Sequence, residues 1–411
     1  MINLPQSWEW KSLGEICFIT DGTHKTPNYI ETGIPFLSVK NISKGFFDLS
    51  DVKYISLEEH NKLIKRAKPE FGDILICRIG TLGKAIKISL EFEFSIFVSL
   101  GLLKPKVKII SDYLVYFLNS CFIEEWINDN KVGGGTHTAK LNLNILEKCP
   151  IALPPLKEQE RIVGILDESF SKIDESIKIL EQDLLNLDEL MQSALQKAFN
   201  PLKNNAKENY KLPQGWEWKS LGEIANTSSG GTPSRNKKEY WENGNIKWLK
   251  SGELNDGYID FIEENITEEA IKNSSAKIFQ KGTLLIAMYG ATAGKLGILN
   301  LDSTTNQAIC AFLHKDKNIK FLEKFLFYFL FFLRDKIIKD SFGGAQPNIS
   351  QTYIKNLQIP LPPLKEQEQI ASHLDELSSH VKNLKQNYQA QIKDLQELKK
   401  SLLDKAFKGN L

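Results

Sequence analysis

The sequence predicts an α+β protein: two mixed α/β globular domains separated by two long helices that form an antiparallel coiled coil, written as a pseudo-two-fold internal repeat. Three observations predict it. First, the segment Leu153-Pro-Pro-Leu-Lys-Glu-Gln-Glu-Arg-Ile162 returns 208 residues later as Leu361-Pro-Pro-Leu-Lys-Glu-Gln-Glu-Gln-Ile370, with nine of ten positions matching. Second, Leu4-Pro-Gln-Ser-Trp-Glu-Trp-Lys-Ser-Leu-Gly-Glu-Ile16 returns at the same offset as Leu212-Pro-Gln-Gly-Trp-Glu-Trp-Lys-Ser-Leu-Gly-Glu-Ile224, and Ala198-Phe199 as Ala406-Phe407. Third, a heptad pattern follows each proline segment. Repeats of this kind settle architecture before any single residue does.

The elements follow in chain order. The globular parts, 1–152 and 206–360, mix short apolar runs with Gly, Asn and Ser punctuation. Ile74–Ile76 and Leu284–Ala287 read as buried strands, Tyr113–Trp126 and Phe321–Ile338 as helices. The greasiest window, Phe325–Leu333, is nine residues long. It is too short for a membrane span of about 20 residues and reads as a buried helix. In each proline segment the residue before a proline avoids helical geometry. Pro155 and Pro363 then suit a helix start, with Glu158 in the first turn at the positive end of the helix dipole. Asn200–Tyr210 is polar and reads as a linker.

The helical regions, 153–205 and 361–411, carry seams. In the first, Phe170, Ile177 and Leu184 form one heptad series, and Leu166, Ile173, Leu180 and Leu187 the other. In the second, one series is Leu374, Val381, Tyr388 and Leu395. The other is Leu377, Leu384 and Leu398, interrupted by Gln391. On this reading the two seams are rotated about a shared stripe. Helices of about 40 residues would be about 60 Å long. An isolated helix of this kind exposes too much apolar surface, so each needs a partner. Pairing of the two helices within the chain is the economical solution, and an antiparallel pair would carry the globular parts at opposite ends. Pairing with another chain is the alternative.

Composition narrows function only a little. The 411 residues are 42% hydrophobic and 25% charged, with a net charge of +1. The balance is uneven: residues 153–205 carry net −4, against +1 for 1–152 and +3 for 206–360. A polyanion would favour the globular parts. Cys17, Cys77, Cys121, Cys149 and Cys310 form no C-x-x-C pair, which argues against a zinc site or disulfide framework and fits a reducing cytoplasm. Met1–Trp10 has neither the basic nor the apolar region of a signal peptide.

No catalytic motif is present. Gly290-Ala-Thr-Ala-Gly-Lys295 resembles a phosphate-binding loop, yet one residue is missing between the glycines and Leu296 stands where a magnesium-ligating Ser or Thr belongs. Its counterpart, Gly80-Thr-Leu-Gly-Lys84, is shorter. Each turn reads either as a phosphate contact or as a plain tight turn. Three families of polar segments carry donors and acceptors suited to base edges and phosphates. They nominate Thr23, His24, Lys25, Arg78, Thr81, Lys84, His137, Thr138 and Lys140 in the first half. In the second they nominate Thr232, Ser234, Arg235, Lys250, Tyr289, Thr292, Lys295, Gln346, Asn348 and Ser350. The alternative for each is a solvated loop residue without a duty. Two modules reading different sequences would carry such loops at equivalent places with different residues.

The paired Leu-Pro-Pro-Leu-Lys-Glu-Gln-Glu segments, the repeated Trp-Glu-Trp-Lys-Ser-Leu-Gly-Glu-Ile, Gly230-Gly-Thr-Pro-Ser-Arg235 and Thr305-Asn-Gln307 resemble, over the whole length, the specificity subunit of type I restriction-modification enzymes (the HsdS family). The first half departs from the pattern, with Val98-Ser99 where the second has Asn306-Gln307. The resemblance implies two target recognition domains, each reading half of a bipartite site in double-stranded DNA. The helices would be spacers that set the distance between half-sites and dock two methyltransferase subunits; domains held apart by such a rod can reach grooves about one helical turn, roughly 34 Å, apart. It implies no catalysis and no cofactor in this chain. S-adenosylmethionine would belong to the methyltransferase subunits and ATP to restriction subunits, with magnesium also on partner subunits. The rival readings are a stand-alone DNA methyltransferase and a coiled-coil scaffold without a DNA role.

Overall fold

The computed structural model describes residues 4–5, 7–134, 139–199, 212–315, 320–341 and 348–409. The linker expected at Asn200–Tyr210 lies outside them. The chain forms two compact units, residues 1–181 with 388–411, and residues 182–387. Each long helix is therefore shared between units.

In the first unit, Glu9–Ser12 pairs antiparallel with Pro150–Leu153, tying the start of the globular part to its end. The Ser-Leu-Gly-Glu motif explains why the chain turns there. Ser12 and Glu15 form a capping box around the short helix Leu13–Ile16, whose Leu13 and Ile16 are buried. The main sheet runs Cys17–Asp21, Leu100–Pro105, Ile74–Cys77, Ala85–Lys87, all antiparallel. A smaller sheet joins Lys53–Ile55, Ile34–Leu37 and Ser95–Ile96. The expected helix over Tyr113–Trp126 is two helices, Ser111–Leu118 and Cys121–Asn130. The break falls at Asn119-Ser120. Asn119 donates its side-chain amide to the Ala85 carbonyl, and Ser120 begins the second helix. Side-chain bonds of this kind compete with a continuing helix.

The second unit repeats the plan. Glu217–Ser220 pairs with Gln358–Leu361, and Ser220 with Glu223 again forms a capping box. The main sheet runs Ala225–Ser229, Ile309–His314, Leu284–Ala287, Leu296–Leu299, and gains an edge strand, Gly257–Ile259, parallel to its neighbour. The second sheet joins Asn265–Ile266, Ile246–Leu249, Ser303–Thr305 and Ile278–Phe279. The apolar window lies inside the helix Glu323–Lys339, where Phe325 to Leu330 are buried.

The proline segments act as anticipated at the boundary. The strand ends at Leu153, and the first long helix, Leu156–Phe199, begins with Glu158 and Gln159 donating their backbone N–H to the Pro155 carbonyl. The second, Leu364–Phe407, begins in the same way on Pro363. The Ala-Phe repeat also finds its reason. Leu195 and Phe199, at the end of the first helix, are buried in the second unit's core, with Phe199 against Phe325 and Phe329. Ala406 and Phe407, ending the second helix, are buried in the first unit's core against Tyr113 and Phe117.

Burial along the helices corrects one seam. In the first helix the expected positions Leu166, Phe170, Ile173, Ile177, Leu180, Leu184 and Leu187 are all buried or half-buried. In the second, Leu374, Leu377, Val381, Tyr388 and Leu395 are covered, but Leu384 and Leu398 are 39% and 45% exposed. Their place is taken by Ser378, Lys385, Ile392 and Lys399, which are half-buried. Those positions are the repeat equivalents of Phe170, Ile177, Leu184 and Met191. The stripe therefore stays at equivalent positions in both copies and is not rotated. Lysine conceals it in sequence: its stem covers apolar surface while its ammonium reaches a carboxylate. Lys399 lies over the Phe170 ring and pairs with Asp174 at 2.7 Å in the first unit, and Lys385 pairs with Asp188 in the second.

Candidate nucleic-acid interface

In both units the described residues of the candidate loops lie at one end of the main sheet. The glycine turns close antiparallel hairpins. Cys77 and Lys84 bond across the first, with Gly83 N–H donating to Cys77, and Ala287 with Lys295 and Gly294 does the same in the second. Each turn leads into a strand, so neither is the strand-to-helix passage that a phosphate-binding loop requires. Gly80 and Gly290 sit at φ +82° and +83°, a region that glycine alone enters without cost. Gly22 and Gly230 meet a different limit. A Cβ on either would stand 2.0 Å from a backbone carbonyl, of Ile96 and of Thr305 respectively. The loops carrying Thr23–Lys25 and Thr232–Arg235 are thereby held against the neighbouring sheet.

In the first unit, buried Asp21 organises the loop. Arg78 donates to its carboxylate at 2.5 Å, Arg66 donates to the other oxygen, and the His24 ring lies 3.2 Å away. Burial alone would raise the Asp21 carboxyl. The Arg66 hydrogen bond and the Arg78 charge outweigh it and hold the group below the usual carboxylate range. Arg78 also donates to the Leu141 carbonyl and is 7% exposed. Its fork is committed to internal partners. It therefore braces the loop and does not present itself to a ligand, which corrects its nomination as a contact. His24, Lys25, Thr81 and Lys140 are exposed, and Thr23 and Lys84 are half-buried. Lys140 is brought beside the turn by a bridge to Ile79. His137 and Thr138 lie outside the described residues. Next to the turn is a cleft of about 700 Å³ lined by Lys40, Thr81, Asn128 and Lys131 among others. Lys40 and Arg66 lie outside these loops in sequence, and the fold brings them there.

In the second unit, Arg235 is held by three groups. Its guanidinium carbon lies 3.6 Å from the Trp241 ring centroid and 4.7 Å from that of Trp248, and it donates to Glu264 at 2.6 Å. Lys250 donates to the other Glu264 oxygen at 2.8 Å. Burial would raise the Glu264 carboxyl, but the two cations hold it below its ordinary value. Arg235 keeps half of its side chain exposed, so its fork is oriented and still reachable. Thr232 donates to Gln307, joining two segments that share the repeat's distinctive residues. Tyr289 bridges to Asn348, and Gln351, beside Ser350, donates to Ser229. Thr292 is half-buried, and Ser234, Lys295, Asn348 and Ser350 are exposed. Gln346 lies outside the described residues. Trp241 and Glu264 escaped the sequence reading, because a tryptophan and a glutamate in polar surroundings announce nothing by type.

Among the described residues no group of His, Cys, Asp or Glu is placed to hold a metal ion, and no helix is long and apolar enough to cross a membrane. The model of the type I restriction modification DNA specificity domain matches residues 5–185 and again residues 213–394. The chain belongs to this family. Among its relatives, the type I restriction enzyme StySPI specificity subunit of Salmonella potsdam is 27% identical, over 99% of this chain and 90% of that protein. The MjaVIII specificity subunit of Methanocaldococcus jannaschii is 26% identical, over 100% and 94%. Of solved structures, the HsdS subunit from Thermoanaerobacter tengcongensis superposes with a TM-score of 0.61 at 23% identity, covering 100% of this chain and 98% of that one. A chain from a structural study of assembly and conformational transition in the type I R-M system superposes with a TM-score of 0.80, also at 23% identity and over the whole of both chains. These likenesses bear on the fold, and the matched domain occurs twice, once per repeat.

Proposed function

We propose that this chain is the DNA sequence-specificity subunit of a type I restriction-modification complex. Each unit reads one half of a bipartite, asymmetric site in double-stranded DNA. The observation that carries the reading is the doubled specificity domain, each copy gathering a different set of polar side chains at the same end of its sheet. The two long helices act as an antiparallel coiled coil that sets the gap between half-sites and docks two methyltransferase subunits. Two observations support the antiparallel pairing. Each helix ends in the core of the unit where the other begins, and in each unit a half-buried lysine of the second helix meets an exposed aspartate of the first.

Catalysis belongs to the partners on this reading. Methyltransferase subunits bring S-adenosylmethionine, and restriction subunits bring ATP and magnesium. Four of the five cysteines are buried and all are unpaired, which suits a reducing cytoplasm. Methylation mapping in cells that express the chain with its methyltransferase tests the reading. A single bipartite motif that appears with this chain and vanishes without it is expected. Tight binding of S-adenosylmethionine by the chain alone would instead favour a stand-alone methyltransferase.

A further inference from the structure

The repeated proline segment contains a glutamine that neither capping nor the seam explains. Gln159 is 1% exposed on the first turn of its long helix. Its amide donates to the Pro154 carbonyl at 2.8 Å, and its carbonyl accepts from the Ile110 N–H at 2.9 Å. Ile110 is the N-cap of the helix Ser111–Leu118 in the globular part. Gln367, also 1% exposed, makes the same pair of bonds, to the Pro362 carbonyl at 2.9 Å and from Leu322 N–H at 2.8 Å. Leu322 is the N-cap of Glu323–Lys339.

A second bond recurs further along. Tyr116 donates its hydroxyl to Asp167 at 2.5 Å, and Tyr328 donates to Asp375 at 2.6 Å, where Lys324 also bonds at 2.7 Å. In both units the tyrosine stands six residues after the N-cap, and the aspartate eight residues after the glutamine. On ideal helices these spacings are about 9 Å and about 12 Å. Apolar packing, such as Tyr116 on Phe170, holds the head helix to the long helix without prescribing direction; two hydrogen bonds at separate points add a directional constraint on the angle. The geometry is kept although the head helices are offset by 212 residues and the long helices by 208. The pairing is thus preserved across an insertion of four residues between the elements.

We infer that Gln159 with Tyr116–Asp167, and Gln367 with Tyr328–Asp375, are positioning residues that set the gap length the complex accepts, by locking the pitch of each reading domain on its helix. They touch no base, so they govern spacing and leave base identity to the loops. The inference rests on the function proposed above.

The test is methylation mapping with the full complex. One chain carries Gln159→Met with Tyr116→Phe, another Gln367→Met with Tyr328→Phe, and a third only Tyr116→Phe with Tyr328→Phe. The reading is the ratio of methylation at the parent gap to that at gaps one base pair shorter or longer. A fall of about tenfold is expected in each of the first two variants, the loss of net hydrogen-bond free energy that held the angle. A smaller fall is expected in the third, with the bases of both half-sites unchanged throughout. A gap as sharp as the parent's in the tyrosine variant, with assembly merely lost in the glutamine variants, overturns the inference, since it leaves the bonds a purely structural role. So does altered base identity in either half-site. If the unaltered chain directs no bipartite methylation, the functional reading itself has failed and not this inference alone.

Discussion

At the residue scale, oriented cations set what the proposed interface would offer to DNA. Arg235 lies over the Trp241 ring and is tethered to Glu264, a state that removes much of the entropy an arginine would lose on contact. Arg235→Ala is expected to weaken DNA binding by the assembled complex by about 1–3 kcal/mol and to relax discrimination at one base position, as read by binding to single-base variants of the site. Lys295 is exposed on its turn and touches no carboxylate in the described structure. Lys295→Ala should lower affinity evenly across sequences and reduce the salt slope by about 1. Unchanged affinity and slope in both variants would remove these residues from the interface. Asp21 makes a different prediction. Its carboxyl titrates lower in the folded chain than in the unfolded one. Its contribution is thus present above an unfolded value of about 3.9 and lost as pH falls through the lower folded value. Asp21→Asn leaves Arg78 buried without its counter-charge and should cost about 3 kcal/mol at neutral pH. Thermal unfolding followed from pH 7 down to about pH 3 should show the variant and parent converging.

At the element scale, the seam of the second long helix separates two kinds of leucine-sized position. Ile392 is half-buried and Leu384 is exposed, although a plain heptad count favours Leu384. Ile392→Ala is expected to destabilise the chain by about 2 kcal/mol, and Leu384→Ala by about 0.5 kcal/mol or less. The opposite order in chemical denaturation would restore the rotated seam. Helix length is the second variable. One added heptad lengthens a helix by about 10 Å, close to three base pairs of duplex. Insertion of a heptad should therefore lengthen the accepted gap or prevent assembly, and an intact complex with its original gap would refute the spacer role.

At the scale of the whole molecule, the doubled domain predicts modular behaviour. Each unit has its own sheets and its own candidate loops. Exchange of residues 206–360 for the corresponding part of another family member should change one half of the recognised site and leave the other intact. Methylation mapping of the chimera checks this, and a change in both halves would contradict independent reading. The exchange has one built-in constraint. Phe199 packs on Phe325, Phe329 and Phe332, so a donor domain must offer a matching aromatic surface for the end of the first helix.

The repeat, the strand at Ile74–Cys77, the helix starts at Pro155 and Pro363 and the seam of the first helix were all legible in sequence. Each depends on local rules: identity at a fixed offset, apolar periodicity, proline geometry. The split of the Tyr113–Trp126 segment was not legible, because it turns on an asparagine amide reaching Ala85. Nor was the seam of the second helix, because a lysine at a seam position declares itself only once its stem and its carboxylate are both in place. The candidate loops were nominated by their chemistry alone. Which of their residues face outward was settled by long-range partners, Asp21 for Arg78 and Glu264 for Arg235. The sequence by itself therefore determined the family and the doubled plan, since both are written in local pattern. Only the tertiary structure decided which charges are bound internally and which remain exposed, and how each head is fastened to its helix. Those outcomes depend on groups tens to hundreds of residues apart along the chain, whose meeting no local rule encodes.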